Sequence, residues 1–325
     1  MRTVHKVLIA TGVVVLLVAA AVGTAYRSPL WLADQVVRFH LWRAGVRSEY
    51  LPIDGNRIHY LEARPGSGVA GGERPLVLIH GLGARGEDWA PLIPGLAAAG
   101  YHVYVPDLLG YGRSARPDVD YSIRMEEDLL AKFMAAEHVE RADVAGWSMG
   151  GWVAMRLAAD HPEKVKRLVL FDSAGVYFPS GFALGAVFDV KDVAGANRLF
   201  GMLTPNAKPI PSFIARDLVR RIQGNIWVLK RSLRSMMGGR DSMDFRLGSI
   251  RQPTLVVWGK QDELIPLAAG ETIHRGIAGS SLLVVDGCGH LTPAECSKVS
   301  LAATVDFLRA EPAIVGGERV VGGRQ

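Results

Sequence analysis

The residues best suited to covalent chemistry lie at positions 146–151, Gly146-Trp147-Ser148-Met149-Gly150-Gly151. A serine hydroxyl is a weak nucleophile until a neighbouring base removes its proton. Ser148 follows the apolar run Ala142–Ala145 and precedes a helix-forming stretch. That context makes G-x-S-x-G a nucleophile elbow, not a chance spelling of a serine loop. So tight a turn strains the serine backbone and needs small neighbours, which Gly146 and Gly150 supply. The Met149 N–H, at the start of the following helix, is then expected to face a developing oxyanion.

The serine needs a base, and the base needs an orienting acid. Of the nine histidines, His5 precedes an apolar N-terminal stretch. His40, His59, His102, His138, His161 and His274 lie in ordinary hairpin, helix or loop contexts and read as surface or packing residues. His290 differs, because Asp286-Gly287-Cys288-Gly289-His290 is a loop after the last apolar run and can carry the ring over the elbow. Asp262 occupies the loop one strand earlier. The order Ser148, Asp262, His290 is one of the chain orders in which such triads occur. Glu263 and Asp172 are the competing acids. No H-E-x-x-H spelling or other metal signature is present, and no cofactor is expected.

Gly81-x-Gly83-x-x-Gly86 follows an apolar run, and Asp107 lies about twenty residues on. These are the elements of a dinucleotide fingerprint. Against that reading, a hairpin precedes the run, His80 sits before the first glycine, and Trp89 lies where a phosphate would approach. With the elbow downstream, the His80-Gly81-Leu82-Gly83 loop reads as the source of a second oxyanion donor, the Leu82 N–H. His80 then orders the loop, and Asp107 forms a turn.

These groups need a frame. Short apolar runs at Leu76–Ile79, Val103–Val105, Ala142–Ala145, Leu168–Phe171, Thr254–Trp258 and Leu282–Val285 predict strands. Helical stretches near Trp89–Ala99, Ile123–His138, Met149–Asp160, Leu267–Ile277 and Ala294–Leu308 alternate with them. That alternation predicts an α/β fold with a mostly parallel sheet covered on both faces. Tyr50–Ile53 and Arg57–Ala63, split by Asp54-Gly55-Asn56, predict a preceding hairpin. The alternation stops between Tyr177 and Ile250, in a stretch rich in Phe, Leu and Met. Residues 177–249 are therefore expected as an inserted helical cap between core segments 49–176 and 250–310. Phe182, Val187, Phe188, Leu199, Phe200, Met202, Leu203 and Trp227 either pack the cap or line an acyl pocket. Residues 311–325 read as a flexible Gly-rich tail.

The chain has 325 residues, 49% of them hydrophobic and 21% charged. Its mean hydropathy is +0.17. That composition excludes a disordered chain. The net charge of +5 is scattered, without basic blocks interleaved with aromatics, so nucleic acid is not an expected partner. Two cysteines, Cys288 and Cys296, make no disulfide framework, and Cys288 reads as a small packing residue. Val7 to Tyr26 carries no formal charge over twenty residues, enough for a helix to cross a bilayer. Residues 1–26 are expected to be a membrane anchor; basic residues flank it on both sides, Arg2 and Lys6 before and Arg27, Arg38, Arg43 and Arg47 after, so its orientation stays open with a lean to the extracytoplasmic side. The alternative is a signal peptide cleaved after Gly23-Thr24-Ala25. Residues 27–48 read as an amphipathic helix at the membrane surface or an ordinary packed one. Since residues 1–26 add nothing to the inferred site, a chain beginning at Arg27 or later is expected to keep its rate on a soluble ester.

Through the HG-x-G loop, the Asp107-to-Ser114 D-x-x-G-x-G-x-S stretch, the elbow, the G-x-x-D loop and the GH loop, the chain resembles the α/β-hydrolase superfamily over Glu49 to Ala310. With its apolar N-terminus it looks most like membrane-anchored monoacylglycerol lipases and related bacterial esterases. The resemblance implies a carboxylic ester hydrolase acting on a lipid-like ester, with Ser148 as nucleophile, His290 as base and Asp262 as its orienter. Epoxide hydrolases and haloalkane dehalogenases of this superfamily carry Asp at the elbow, so Ser148 argues against both. Proline iminopeptidases, carbon–carbon bond hydrolases of ring-cleavage products and cofactor-free haloperoxidases keep Ser and stay open, as does the oligomeric state.

Overall fold

The apolar runs become strands slightly longer than their apolar parts, because flanking polar residues complete the ladders. The computed structural model describes residues 2–66, 74–205, 207–313 and 315–323, with side chains described at all of these except 2–4, 6–10, 17–18 and 182–183. Two helices lead the chain, α1 (Arg2–Arg27) and α2 (Pro29–Arg43). The sheet opens with β1 (Arg47–Ile53), β2 (Asn56–Ala63), β3 (Arg74–Ile79) and β4 (Tyr101–Pro106), with α3 (Ile93–Ala98) before β4. After α4 (Ile123–Ala136) come β5 (Ala142–Trp147), α5 (Met149–Asp160) and β6 (Val165–Phe171). Four helices, α6 (Leu184–Phe188), α7 (Val193–Leu203), α8 (Ser212–Gly224) and α9 (Ile226–Met237), separate β6 from β7 (Thr254–Gly259). The chain closes with α10 (Leu267–Gly276), β8 (Ser280–Asp286), α11 (Thr292–Glu295), α12 (Ser297–Arg309) and β9 (Glu318–Gly322).

The strand order is β1-β2-β4-β3-β5-β6-β7-β8-β9. β1 to β2 and β2 to β4 are antiparallel, and every later pairing is parallel. Each parallel strand from β3 to β8 buries both faces. Val77, Val144, Leu170 and Val256 pack on the α4–α5 side, and Leu78, Ala145, Val169 and Leu255 on the α3–α12 side. That is why these strands read as continuous apolar runs and not as alternation. Local chemistry starts the helices, as where Ser122 Oγ accepts the Met125 N–H at 3.1 Å and Asp192 Oδ1 accepts the Gly195 N–H at 2.7 Å.

Two expectations need correcting, and the membrane-spanning helix finds no support in a single element. Part of the 311–325 tail is a strand, since β9 pairs in parallel with β8 from Leu282 opposite Glu318 to Asp286 opposite Gly322. Cys288 and Cys296 are joined as a disulfide. Among the described residues no single helix is long and apolar enough to cross a membrane. Thr11–Arg27 and Pro29–Arg43 meet length and composition only as a pair, bent by 102°.

Candidate active site

The elbow forms where β5 turns into α5. Ser148 has φ +55° and ψ −122°, a strained conformation, and sits directly before the first residue of α5. The glycines are there for space. A Cβ at Gly146 would lie 2.3 Å from the Gly150 carbonyl oxygen, and one at Gly150 would lie 2.2 Å from that of Ile79. The turn is pinned by the Ser148 N–H donating to Phe171 O at 2.9 Å.

Three sequence-predicted side chains meet here. His290 Nε2 lies 3.0 Å from Ser148 Oγ, and His290 Nδ1 lies 2.7 Å from Asp262 Oδ2. The other Asp262 oxygen accepts the Leu264 N–H at 2.8 Å and the Ile265 N–H at 2.9 Å. All three residues are buried. Burial pulls the His290 imidazole down. The charge and hydrogen bond of Asp262, with Asp172 behind it, outweigh burial and raise it above the ordinary histidine value. Glu263 is exposed. Asp172 is fully buried with φ +43°, accepting the Gly259 N–H at 2.8 Å and the Thr292 N–H at 3.3 Å. Burial, reinforced by Asp262, pushes its carboxyl well above the usual carboxylate range. It ties the Asp262 and His290 loops together without touching the imidazole through a hydrogen bond of its own.

The loop after β3 runs beside the serine, so that a Cβ on Gly81 would come within 3.0 Å of Ser148 Cβ. His80 orders this loop. Its Nδ1 pairs with Gly81 O at 2.8 Å and its Nε2 accepts the Leu108 N–H at 3.0 Å. Burial holds the ring below the usual histidine value, which suits a neutral acceptor. Asp107 accepts the Gly86 N–H at 2.6 Å and the Arg113 N–H at 2.8 Å, and pairs with His59 Nδ1 at 2.6 Å. With every contact internal and the carboxylate fully buried, Asp107 builds the loop and has no face for a ribose. Among the described residues no cluster of His, Cys, Asp and Glu fits a metal ion.

Above Ser148 lies a cavity of about 520 Å³, bounded by Leu82, Trp147, Leu264 and Leu291 from the core and by Phe188, Leu199, Leu203, Leu218, Ile222 and Leu229 from the helices between β6 and β7. Of the eight apolar residues singled out there, Phe188, Leu199 and Leu203 line this cavity, while Val187 and Met202 pack against the core. Trp227 stands edge-on to Tyr121, and the Phe182 side chain lies outside the described residues. The cavity wall also includes Asp34 of α2. The expectation that a chain beginning anywhere after Arg27 keeps its rate is therefore too broad, because one lacking α2 loses part of the wall.

Sequence reasoning missed two supports. Trp147 Nε1 donates to His290 O at 2.7 Å, and the His290 N–H donates to Leu203 O at 2.8 Å, so the elbow and α7 both hold the histidine backbone. The disulfide also brackets this histidine between Cys288 and Cys296. The x positions of the elbow motif carry no signal for the first, and spacing alone carries none for the second.

A sheet with this order, an elbow after β5 and the Ser–His–Asp contact define a serine hydrolase. Residues 74–295 match the alpha/beta hydrolase fold family, and the chain belongs to it. It is similar to the 2-hydroxymuconate semialdehyde hydrolase of Pseudomonas sp. strain CF600, 34% identical over 248 residues, covering 72% of this chain and 86% of that one. It is also similar to Lipase 1 of Psychrobacter immobilis, 28% identical over 282 residues, covering 82% and 83%. Among solved structures, a membrane phospholipase A described as a bacterial virulence factor superposes with a TM-score of 0.78 at 28% identity, covering 91% of this chain and 96% of that one.

Proposed function

We propose that this protein hydrolyses carboxylic esters of lipid-like, monoacylglycerol type at a membrane surface. Ser148 Oγ attacks the carbonyl while His290 Nε2 takes its proton and returns it to the leaving alcohol. Asp262 holds the tautomer and stabilises the imidazolium. The N–H groups of Leu82 and Met149 receive the oxyanion. Water then attacks the acyl-enzyme by the same route.

The observation that carries the ester reading is the cavity above Ser148, walled mainly by apolar side chains, aliphatic and aromatic. Two of its guanidinium groups, Arg85 and Arg221, are both engaged by Asp34, and the third, Arg116, is exposed and donates to Gly112 O at 2.7 Å. An interior of this kind suits an alkyl chain better than an acid. Of the three relatives, the lipase and the phospholipase also run further along this chain than the semialdehyde hydrolase does. The second reading, hydrolysis of a carbon–carbon bond in a ring-cleavage product, is favoured by the 34% identity to that hydrolase.

We further propose that α1 anchors the chain and α2 lies along the membrane. Val13, Val14, Val15, Leu16 and Val22 of α1, and Trp31, Val36, Phe39 and Trp42 of α2, are exposed. Such an apolar face on a helix that also walls the cavity fits an interfacial position. The disulfide supports an oxidising, extracytoplasmic side.

The test is an ester series from acetate to decanoate with Ser148→Ala as the control. Each buried CH₂ is worth about 0.8 kcal/mol, so two carbons should raise kcat/KM roughly tenfold until the cavity is full. A flat profile, or turnover of a ring-cleavage product with none of esters, refutes the lipid-ester reading.

A further inference from the structure

We propose that Asp34 is a positioning residue that clasps the oxyanion loop to α8 and thereby sets the bore of the acyl cavity. This rests on the ester reading above. Asp34 is the one acidic residue of α2 and is nine-tenths buried. Its carboxylate faces two guanidinium groups at once. Arg85 donates through Nη1 at 3.0 Å and through Nη2, and Arg221 donates through Nη2 at 2.8 Å and Nη1 at 3.3 Å. Arg85 lies three residues after Leu82, at the end of the loop that passes Ser148. Arg221 lies on α8 beside Leu218 and Ile222, which face the cavity.

The same helix grips both walls elsewhere. One turn on, Arg38 Nε donates to Glu87 Oε1 at 3.0 Å, and that oxygen also receives Arg113 Nη2 at 3.0 Å. At its start the Leu30 N–H donates to Asp217 Oδ2 at 2.9 Å, on α8. The ends of α1 and α8 are in contact too, where Tyr26 stacks on Phe213 with ring centroids 5.3 Å apart. Forked guanidinium–carboxylate pairs fix direction as well as distance. With one carboxylate serving two forks, removing it leaves the two guanidinium groups facing each other across the cavity wall, Arg85 with Glu87 Oε2 at 3.8 Å beside it and Arg221 open to solvent. Repulsion then moves α8 away from the loop. The triad side chains are carried by the ends of β5, β7 and β8, and α8 reaches them only through α7, whose Leu203 O holds the His290 N–H, so the effect falls most on substrates long enough to reach α8.

The test uses the full-length protein in detergent micelles. Asp34→Asn should lower the decanoate-to-acetate ratio of kcat/KM about tenfold, mainly through KM for the long ester. Arg221→Gln, which leaves the Asp34–Arg85 pair in place, should shift the ratio the same way, and the double variant should add little to the larger single effect. An equal loss on acetate and decanoate, an unaltered ratio, or additive effects in the double variant would overturn the proposal. Failure of the ester reading shows separately, as a wild-type protein that cleaves no ester of the series. Labelling rates of Ser148 by alkyl fluorophosphonates of rising chain length then decide the clasp on the same ratio. If Asp34→Asn does not fold, Arg221→Gln alone carries the comparison.

Discussion

Replacing Asp262 by Asn tests the site most sharply, because the structure dictates how the new amide must sit. One Asp262 oxygen accepts two backbone N–H groups, from Leu264 and Ile265, and the other faces His290 Nδ1. In the Asp262→Asn variant the amide oxygen must keep the first position, since an NH₂ there would meet two donors. The NH₂ is then left facing Nδ1, which has to become an acceptor. The imidazole proton moves to Nε2, toward Ser148 Oγ, where a base should have a lone pair. The fold should survive, because volume and both backbone bonds are kept. A wrong tautomer in Ser-His-Asp enzymes costs on the order of 10⁴ in kcat, or about 5.5 kcal/mol of barrier. The assay is kcat for a chromogenic ester alongside the rate of fluorophosphonate labelling, with thermal unfolding as the check on folding. Glu263→Gln, at an exposed position, should lie within twofold of wild type. An Asp262→Asn enzyme within tenfold of wild type would refute the argument, and a crippled Glu263→Gln would reassign the acid.

The acidic limb of kcat/KM should have its midpoint above about 6.5, the ordinary histidine value, because the protonated His290 that Asp262 stabilises cannot take the serine proton. A limb at or below that value in a pH–rate profile would show that another group controls it. Glu126 is fully buried and its carboxyl is pushed up to about 8, chiefly by burial, against an ordinary 4.5. Its folded-state value is the raised one, so its contribution to stability is complete below about pH 4.5 and is lost as the pH rises to about 8. Glu126→Gln should remove this part of the slope in denaturant midpoints, an effect bounded at about 5 kcal/mol, and parallel slopes for the two proteins would refute it.

Much of the site was legible because its geometry is local. The elbow is spelled by glycines that each answer a clash under 2.5 Å, and the doubly buried strands announce themselves as short Val/Leu runs. What was hidden depends on distance along the chain. Asp34 meets partners 51 and 187 residues away, so nothing near it distinguishes it from a solvated charge on an amphipathic helix. β9 lies at the sheet edge with Glu318 to Val320 exposed, and its glycine-rich flanks look like a frayed end. The cysteines are eight residues apart, and only the turn through Gly289 and α11 brings their sulfurs together. The sequence stretch Trp89–Ala99 also divides into a helical turn at Gly86–Trp89 and the short α3, where Pro94 starts a new helix.

The positions of the three reacting groups along the chain have a consequence for biosynthesis. The nucleophile at residue 148 is made early, but its acid and base wait for residues 262 and 290, and β9, whose neighbour Gly323 packs against both cysteine sulfurs, comes later still. A ribosome that has released α1, α2 and the first six strands of the sheet has produced no enzyme. Hydrolytic competence arrives only once residue 290 has been made, long after α1 and α2 have emerged, and a product truncated before His290 is inert.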